Sequence, residues 1–210
     1  MLTRDEYLVG WSVGHGVVPS RLVAGWLRAA YRVARPLTRL GVSPSAISVL
    51  GVALIGGGAF AAGRWPALGG LLIAAGGVCD GVDGAVALVA GRAGRRGALV
   101  DAACDRVGDL LLGVGLAAAG APGWVCGTAV AVGFAHEGVR VVARRRRLRL
   151  GVTVSERPTR VIVTVMFLVA AGLGVLADAG WWASAGAWTS LLLAAAGLVQ
   201  LLAKITASAR

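Results

Sequence analysis

The sequence predicts an all-α integral membrane protein in which six transmembrane helices follow an interfacial amphipathic helix. Three observations carry this. Hydrophobic residues fill 57% of the 210 positions and the mean hydropathy is +0.78, above the near-half apolar share of soluble domains. The apolar residues gather into six runs long enough to cross a bilayer, divided by short polar or glycine- and proline-containing turns. A row of arginines at helical spacing precedes the first run. The expected organisation is an interfacial segment over residues 1–40 and one six-helix membrane domain over 41–210.

In the first segment, Arg21, Arg28, Arg32, Arg35 and Arg39 are separated by 7, 4, 3 and 4 residues, and at about 100° per residue they form one stripe. Leu22, Trp26, Leu27, Val33 and Leu37 lie elsewhere around the same helix. Such a helix lies in the headgroup plane, and Pro36 is expected to bend or end it. Ser43 and Pro44 suit the N-cap and first turn of a span over Gly41–Gly63. Further spans are expected over about Trp65–Ala90, Gly97–Ala119, Trp124–Val142, Val161–Ala177 and Trp181–Ala203.

The formal charge is +11. Because the cations lie between apolar spans and no soluble basic domain exists, the bilayer explains them and no nucleic-acid partner is expected. With six spans, the N-terminal segment, the 91–96 loop, the 140–160 region and the C-terminus share one side and carry six, three, eight and two cationic residues. The other side has Arg64 alone. The positive-inside rule makes the rich side cytoplasmic, in the cell membrane; for the run Arg144–Arg147, topology and attraction to anionic lipid suffice. Cys79, Cys104 and Cys126 form no CxxC and read as small buried residues, while lone His15 and His136 read as structural. The N-terminus lacks a signal-peptide core, so the first span is expected to stay.

The stretch from Cys79 to Asp109 holds five of the ten carboxylates of the chain. Acids within membrane spans are costly and mark an ion, proton or substrate site. Asp80 and Asp83 fall on one helical face with Gly84, Ala87 and Gly91, so that face clears room beside two anions. Across the GRAGRR hairpin, Gly97, Asp101, Asp105 and Gly108 share a face likewise. Four oxygen ligands without His or Cys suit a hard cation, Mg²⁺ or Mn²⁺, and two such ions would screen the carboxylates and grip a diphosphate. Asp109 is an extra acid, either catalytic or a partner for Arg106 or a loop arginine.

The series Asp80, Asp83, Gly84, Ala87, Gly97, Asp101 and Asp105 spans 26 residues and resembles the signature of the CDP-alcohol phosphotransferases, integral-membrane enzymes of phospholipid biosynthesis. The resemblance extends to the interfacial helix, Pro44 and the six spans. It implies Asp80, Asp83 and Asp101 as metal ligands, with Asp105 beside the metals as the base that deprotonates the acceptor hydroxyl. It implies that Gly84, Ala87 and Gly97 admit the cytidine diphosphate, and that the enzyme is a homodimer. The hydroxyl would attack the β-phosphorus of CDP-diacylglycerol and release CMP. One position departs from the signature: Leu88 stands where the family has Arg. Either Arg92, one turn on, or Arg95 or Arg96 supplies the charge, or the site is weakened to that of a non-catalytic paralogue; retention of every carboxylate favours the first.

The run from Val139 to Val163 resembles the corresponding part of actinobacterial phosphatidylinositol phosphate synthases, where an ERPxR stretch opens the fifth span. That resemblance implies Arg140, Arg160 and Lys204 as holders of an acceptor phosphate, with inositol phosphate ahead of glycerol phosphate. A cation transporter is the competing class, since intramembrane acids also serve transporters. The two halves of the chain show no internal similarity, however, and the acids cluster on one hairpin.

Overall fold

The computed structural model describes residues 1–15, 18–92, 94–146, 148, 151–174 and 177–208. Arg147, of the basic run, and the side chain of His15 lie outside the described residues. Among the described residues eight helices follow one another: α1 (Arg4–His15), α2 (Arg21–Arg39), α3 (Pro44–Ala62), α4 (Pro66–Val89), α5 (Arg95–Ala118), α6 (Gly123–Arg145), α7 (Arg157–Leu173) and α8 (Ala179–Ser208). There is no strand among the described residues. The chain divides into two compact units, one of residues 1–53 with 75–105, the other of 54–74 with 106–210.

In the first unit, α1 is an element that hydropathy alone does not announce. Its start is a capping box: Thr3 N–H donates to Glu6 Oε2 at 2.7 Å, and Glu6 N–H to Thr3 Oγ1 at 3.4 Å. Helix α2 begins at Ser20, whose side chain accepts from Val23 N–H. It runs on through Pro36 to Arg39, so the proline neither ends nor interrupts it; Leu40 N–H closes the last turn on Pro36 O at 2.9 Å. All five stripe arginines are exposed, whereas Leu27, Ala30 and Ala34 are buried. That buried face packs with Tyr7, Ile47 and the Val82, Ala85, Val86 and Val89 face of α4. Part of the apolar side of α2 therefore meets protein, while Leu22, Trp26 and Val33 stay exposed and the arginines face outward.

Ser43 Oγ accepts from Ala46 N–H at 3.1 Å, the expected start of α3. Helix α4 ends at Gly91, whose φ of 63° only glycine adopts readily, with Gly91 N–H on Leu88 O and Arg92 N–H on Ala87 O. The chain then turns into α5.

The second unit has its own apolar core: Ile55, Ala62, Ile73, Leu112, Leu116, Val125, Cys126, Leu168, Ala183 and Ala187. Small residues set the helix spacing there. A Cβ on Gly58 would lie 2.7 Å from Gly69 O, and one on Gly172 only 2.3 Å from Ala67 N. Cys126 is buried and Cys79 and Cys104 are half-buried.

Among the described residues, four helices are long and apolar enough to cross a membrane: α3 (19 residues), α4 (24), α6 (23) and α8 (30). Phe60, Leu71, Leu192 and Val199 on them face outward, as lipid-facing side chains do. The chain is thus an all-α, multi-pass membrane protein, but two of the six expected spans fall short of that description. Helix α5 carries Arg95, Arg96, Asp101, Asp105, Arg106 and Asp109, and α7 has only 17 residues.

Candidate functional site

The first unit brings three of the hairpin carboxylates together. Asp80 on α4 and Asp101 and Asp105 on α5 each offer an oxygen within 4.8 Å of the others, all half-buried. Three ionised carboxylates at that separation repel by about 3–4 kcal/mol per pair at an effective dielectric of about 20. The triad is therefore a place for a cation, and a donor set of oxygens alone fits a hard divalent ion such as Mg²⁺ or Mn²⁺.

Asp83 stands outside the triad. It is 4% exposed, and its Oδ2 accepts a hydrogen bond from Ser48 Oγ on α3. Ser48 is a site residue that the acid pattern does not reveal; the available signal is a lone hydroxyl in the otherwise apolar span that faces the acids. Gly51, one turn on, lets α3 approach the same helix, since a Cβ there would meet Cys79 Cβ and Gly76 O at 3.1 Å. On the other side, a Cβ on Gly81 would lie 2.6 Å from the Trp26 ring. The glycines of the signature behave differently. A Cβ on Gly84 or Gly97 would meet nothing within 4 Å, so both border open space beside the acids. Ala87 is half-buried and Arg92 exposed. Leu88 packs against the Tyr7–Leu27 cluster, an apolar setting in which an arginine head group would have to be desolvated.

The second unit holds Arg140, Arg160 and Lys204, each already engaged. Arg140 Nη2 donates to Glu156 Oε1 and to Thr153 Oγ1, the latter at 3.1 Å. Arg160 Nη2 donates to Asp109 Oδ2 at 3.0 Å and lies 3.7 Å from Glu137 Oε1. Lys204 Nζ donates to Val152 O at 2.8 Å. Asp109 thus has its arginine partners on α7, Arg160 and, at 3.8 Å, Arg157. His136 is fully buried, with Nε2 2.9 Å from Thr153 Oγ1. A cavity of about 30 Å³, room for about two water molecules, lies beside Asp109, Arg160 and Ser190.

An all-helical membrane protein with a carboxylate triad on a helical hairpin is the class that fold and site define. Its family is more particular: the model of the CDP-alcohol phosphatidyltransferases matches residues 41–199, and the chain belongs to that family. It is a CDP-alcohol phosphotransferase. In fold it is similar to Mycobacterium tuberculosis phosphatidylinositol phosphate synthase (PgsA1) in complex with manganese and citrate, with a TM-score of 0.69, 23% identity and coverage of 84% of this chain and 88% of that one. It is also similar to the same synthase with CDP-DAG bound, with a TM-score of 0.67, 22% identity and coverage of 85% and 92%. No curated protein matches the chain in sequence.

Proposed function

We propose that this enzyme transfers the phosphatidyl group of CDP-diacylglycerol to the hydroxyl of a small phosphorylated alcohol and releases CMP. The observation that carries the reading is the convergence of Asp80, Asp101 and Asp105. These residues would hold Mg²⁺ or Mn²⁺, with Asp83 completing a four-carboxylate set for two ions. When bound, the metal supplies charge neutralisation on the diphosphate.

The residues of the chain do the rest. Gly84, Ala87 and Gly97 leave room for the cytidine diphosphate, and Arg92 supplies the positive charge that Leu88 does not. Asp105 takes the proton of the acceptor hydroxyl as it attacks the β-phosphorus. Arg140, Arg160 and Lys204 hold the acceptor's phosphate. Inositol phosphate is the first acceptor to test and glycerol 3-phosphate the second.

In this reading α5 and α7 cross the membrane with the four apolar helices, giving six spans over 41–210 after an interfacial segment over 1–40. The charges of α5 are accommodated because they face a polar site instead of lipid. The enzyme is a homodimer in the cell membrane, with its site toward the cytoplasm, on the arginine-rich side. Incubation with CDP-diacylglycerol, Mg²⁺ or Mn²⁺ and a panel of alcohols and alcohol phosphates, with the lipid product identified by mass, tests it. CMP release with a phosphorylated acceptor is expected; no release with any acceptor contradicts the reading.

A further inference from the structure

The second unit buries more charge than stability accounts for. Arg140, Arg157 and Arg160 share the interior with Asp109, and the partly exposed Glu137 and Glu156 flank them, on α5, α6, α7 and the residue before α7. Replacing such a network by apolar side chains is often neutral or stabilising, because desolvation offsets the attraction between the partners.

The geometry of two of these arginines points to another role. Arg160 is gripped at one arm only: Nη2 lies on Asp109, whereas Nε and Nη1, both buried, have no hydrogen-bond partner among the described residues. Arg140 is held in the same way, with Nη2 on Glu156 and Thr153 and a buried, unbonded Nε. Glu156 is itself fixed, since its Oε1 also accepts from Thr153 N–H at 2.9 Å. A guanidinium anchored through one nitrogen keeps its remaining N–H groups for an oxyanion in a fixed orientation. Gly133 on α6 lets this guanidinium lie against the helix: a Cβ there would stand 3.1 Å from Arg160 Nη1.

We infer that Asp109 and Glu156 are positioning residues for the acceptor, each fixing one arm of a phosphate-binding arginine, and that Gly133 preserves the orientation of Arg160. The inference rests on the assignment of Arg140 and Arg160 to the acceptor's phosphate. Neither carboxylate touches substrate. Each acts by holding a guanidinium in the rotamer that meets it.

The test is steady-state kinetics of the full-length enzyme in lipid, with CDP-diacylglycerol and the phosphorylated alcohol that the wild type uses, for Asp109→Asn, Asp109→Glu, Glu156→Gln and Gly133→Ala. Asp109→Asn and Glu156→Gln are expected to raise the acceptor KM by about tenfold or more and to leave the donor KM within about twofold. Asp109→Glu recovers part of the loss. Gly133→Ala raises the acceptor KM without lowering the unfolding temperature, and it decides the matter if the charge variants do not fold. An unchanged acceptor KM, or equal rises for donor and acceptor, overturns the inference while leaving the proposed reaction intact. A wild-type enzyme that accepts only unphosphorylated alcohols removes the phosphate role of the arginines, and this inference with it.

Discussion

Ser48 on α3 donates a hydrogen bond to the buried carboxylate of Asp83 on α4, tying the first apolar helix to the one that carries Asp80. Ser48→Ala leaves a buried carboxylate short of a donor, a loss of about 1–3 kcal/mol. On the proposed assignment of Asp83 to the metal-binding set, the same change is expected to weaken Mn²⁺ binding by about 10–100-fold, the usual cost of losing a group that orients a ligand. Titration of the purified protein followed by the Mn²⁺ electron paramagnetic resonance signal measures this. Ser48→Thr keeps the hydroxyl and should keep most of the affinity.

Leu88 and Arg92 separate packing from charge. Leu88 belongs to the apolar cluster around Tyr7 and Leu27, while Arg92 is exposed at the end of the hairpin helix. Leu88→Ala should lower the unfolding free energy by about 2 kcal/mol or more without moving the donor KM. Arg92→Gln should raise the donor KM about tenfold at unchanged stability. A donor KM indifferent to Arg92 would transfer the role to Arg95 or Arg96.

The glycines of the second unit divide by what surrounds them. A Cβ on Gly172 would press into Ala67 at 2.3–2.4 Å, while one on Gly127 would meet nothing within 4 Å. Gly172→Ala is expected to cost about 1–3 kcal/mol through overpacking. Gly127→Ala should be neutral or slightly stabilising, because alanine is the better helix former. Thermal unfolding of both variants in the same lipid makes the comparison.

Much of this was legible before any coordinates. The hydropathy runs place α3 and α4 within about three residues of their observed ends, because runs bounded by Pro44, Pro66 and Gly91 leave little freedom. The i, i+4 spacing of Asp101 and Asp105 places both beside Asp80. What stayed hidden depends on contacts between distant residues. The apolar face of α2 reads as interfacial in the sequence, and the contact of Leu27, Ala30 and Ala34 with the Val82–Val89 face of α4 depends on residues far along the chain. Asp109 is ambiguous in sequence because its partner, Arg160, is 51 residues away. Gly133 looks like one more membrane glycine until α7 places a guanidinium against it, and Gly108, which shares the acid face in sequence, meets the Arg157 guanidinium. The Thr3–Glu6 capping box marks the start of α1 in sequence, in a polar N-terminus that hydropathy does not single out.

The most direct test of the central claim, that the hairpin acids form a metal-dependent phosphatidyl-transfer site, is CMP release from CDP-diacylglycerol by the wild type and by Asp105→Asn. It should be measured with Mg²⁺ or Mn²⁺ and again after chelation. The wild type should release CMP only with metal and an acceptor present, and Asp105→Asn should still bind the donor yet lose about 10²–10⁴-fold in turnover, the range for a lost general base. Turnover unaffected by chelation, or by the loss of Asp105, would contradict the account.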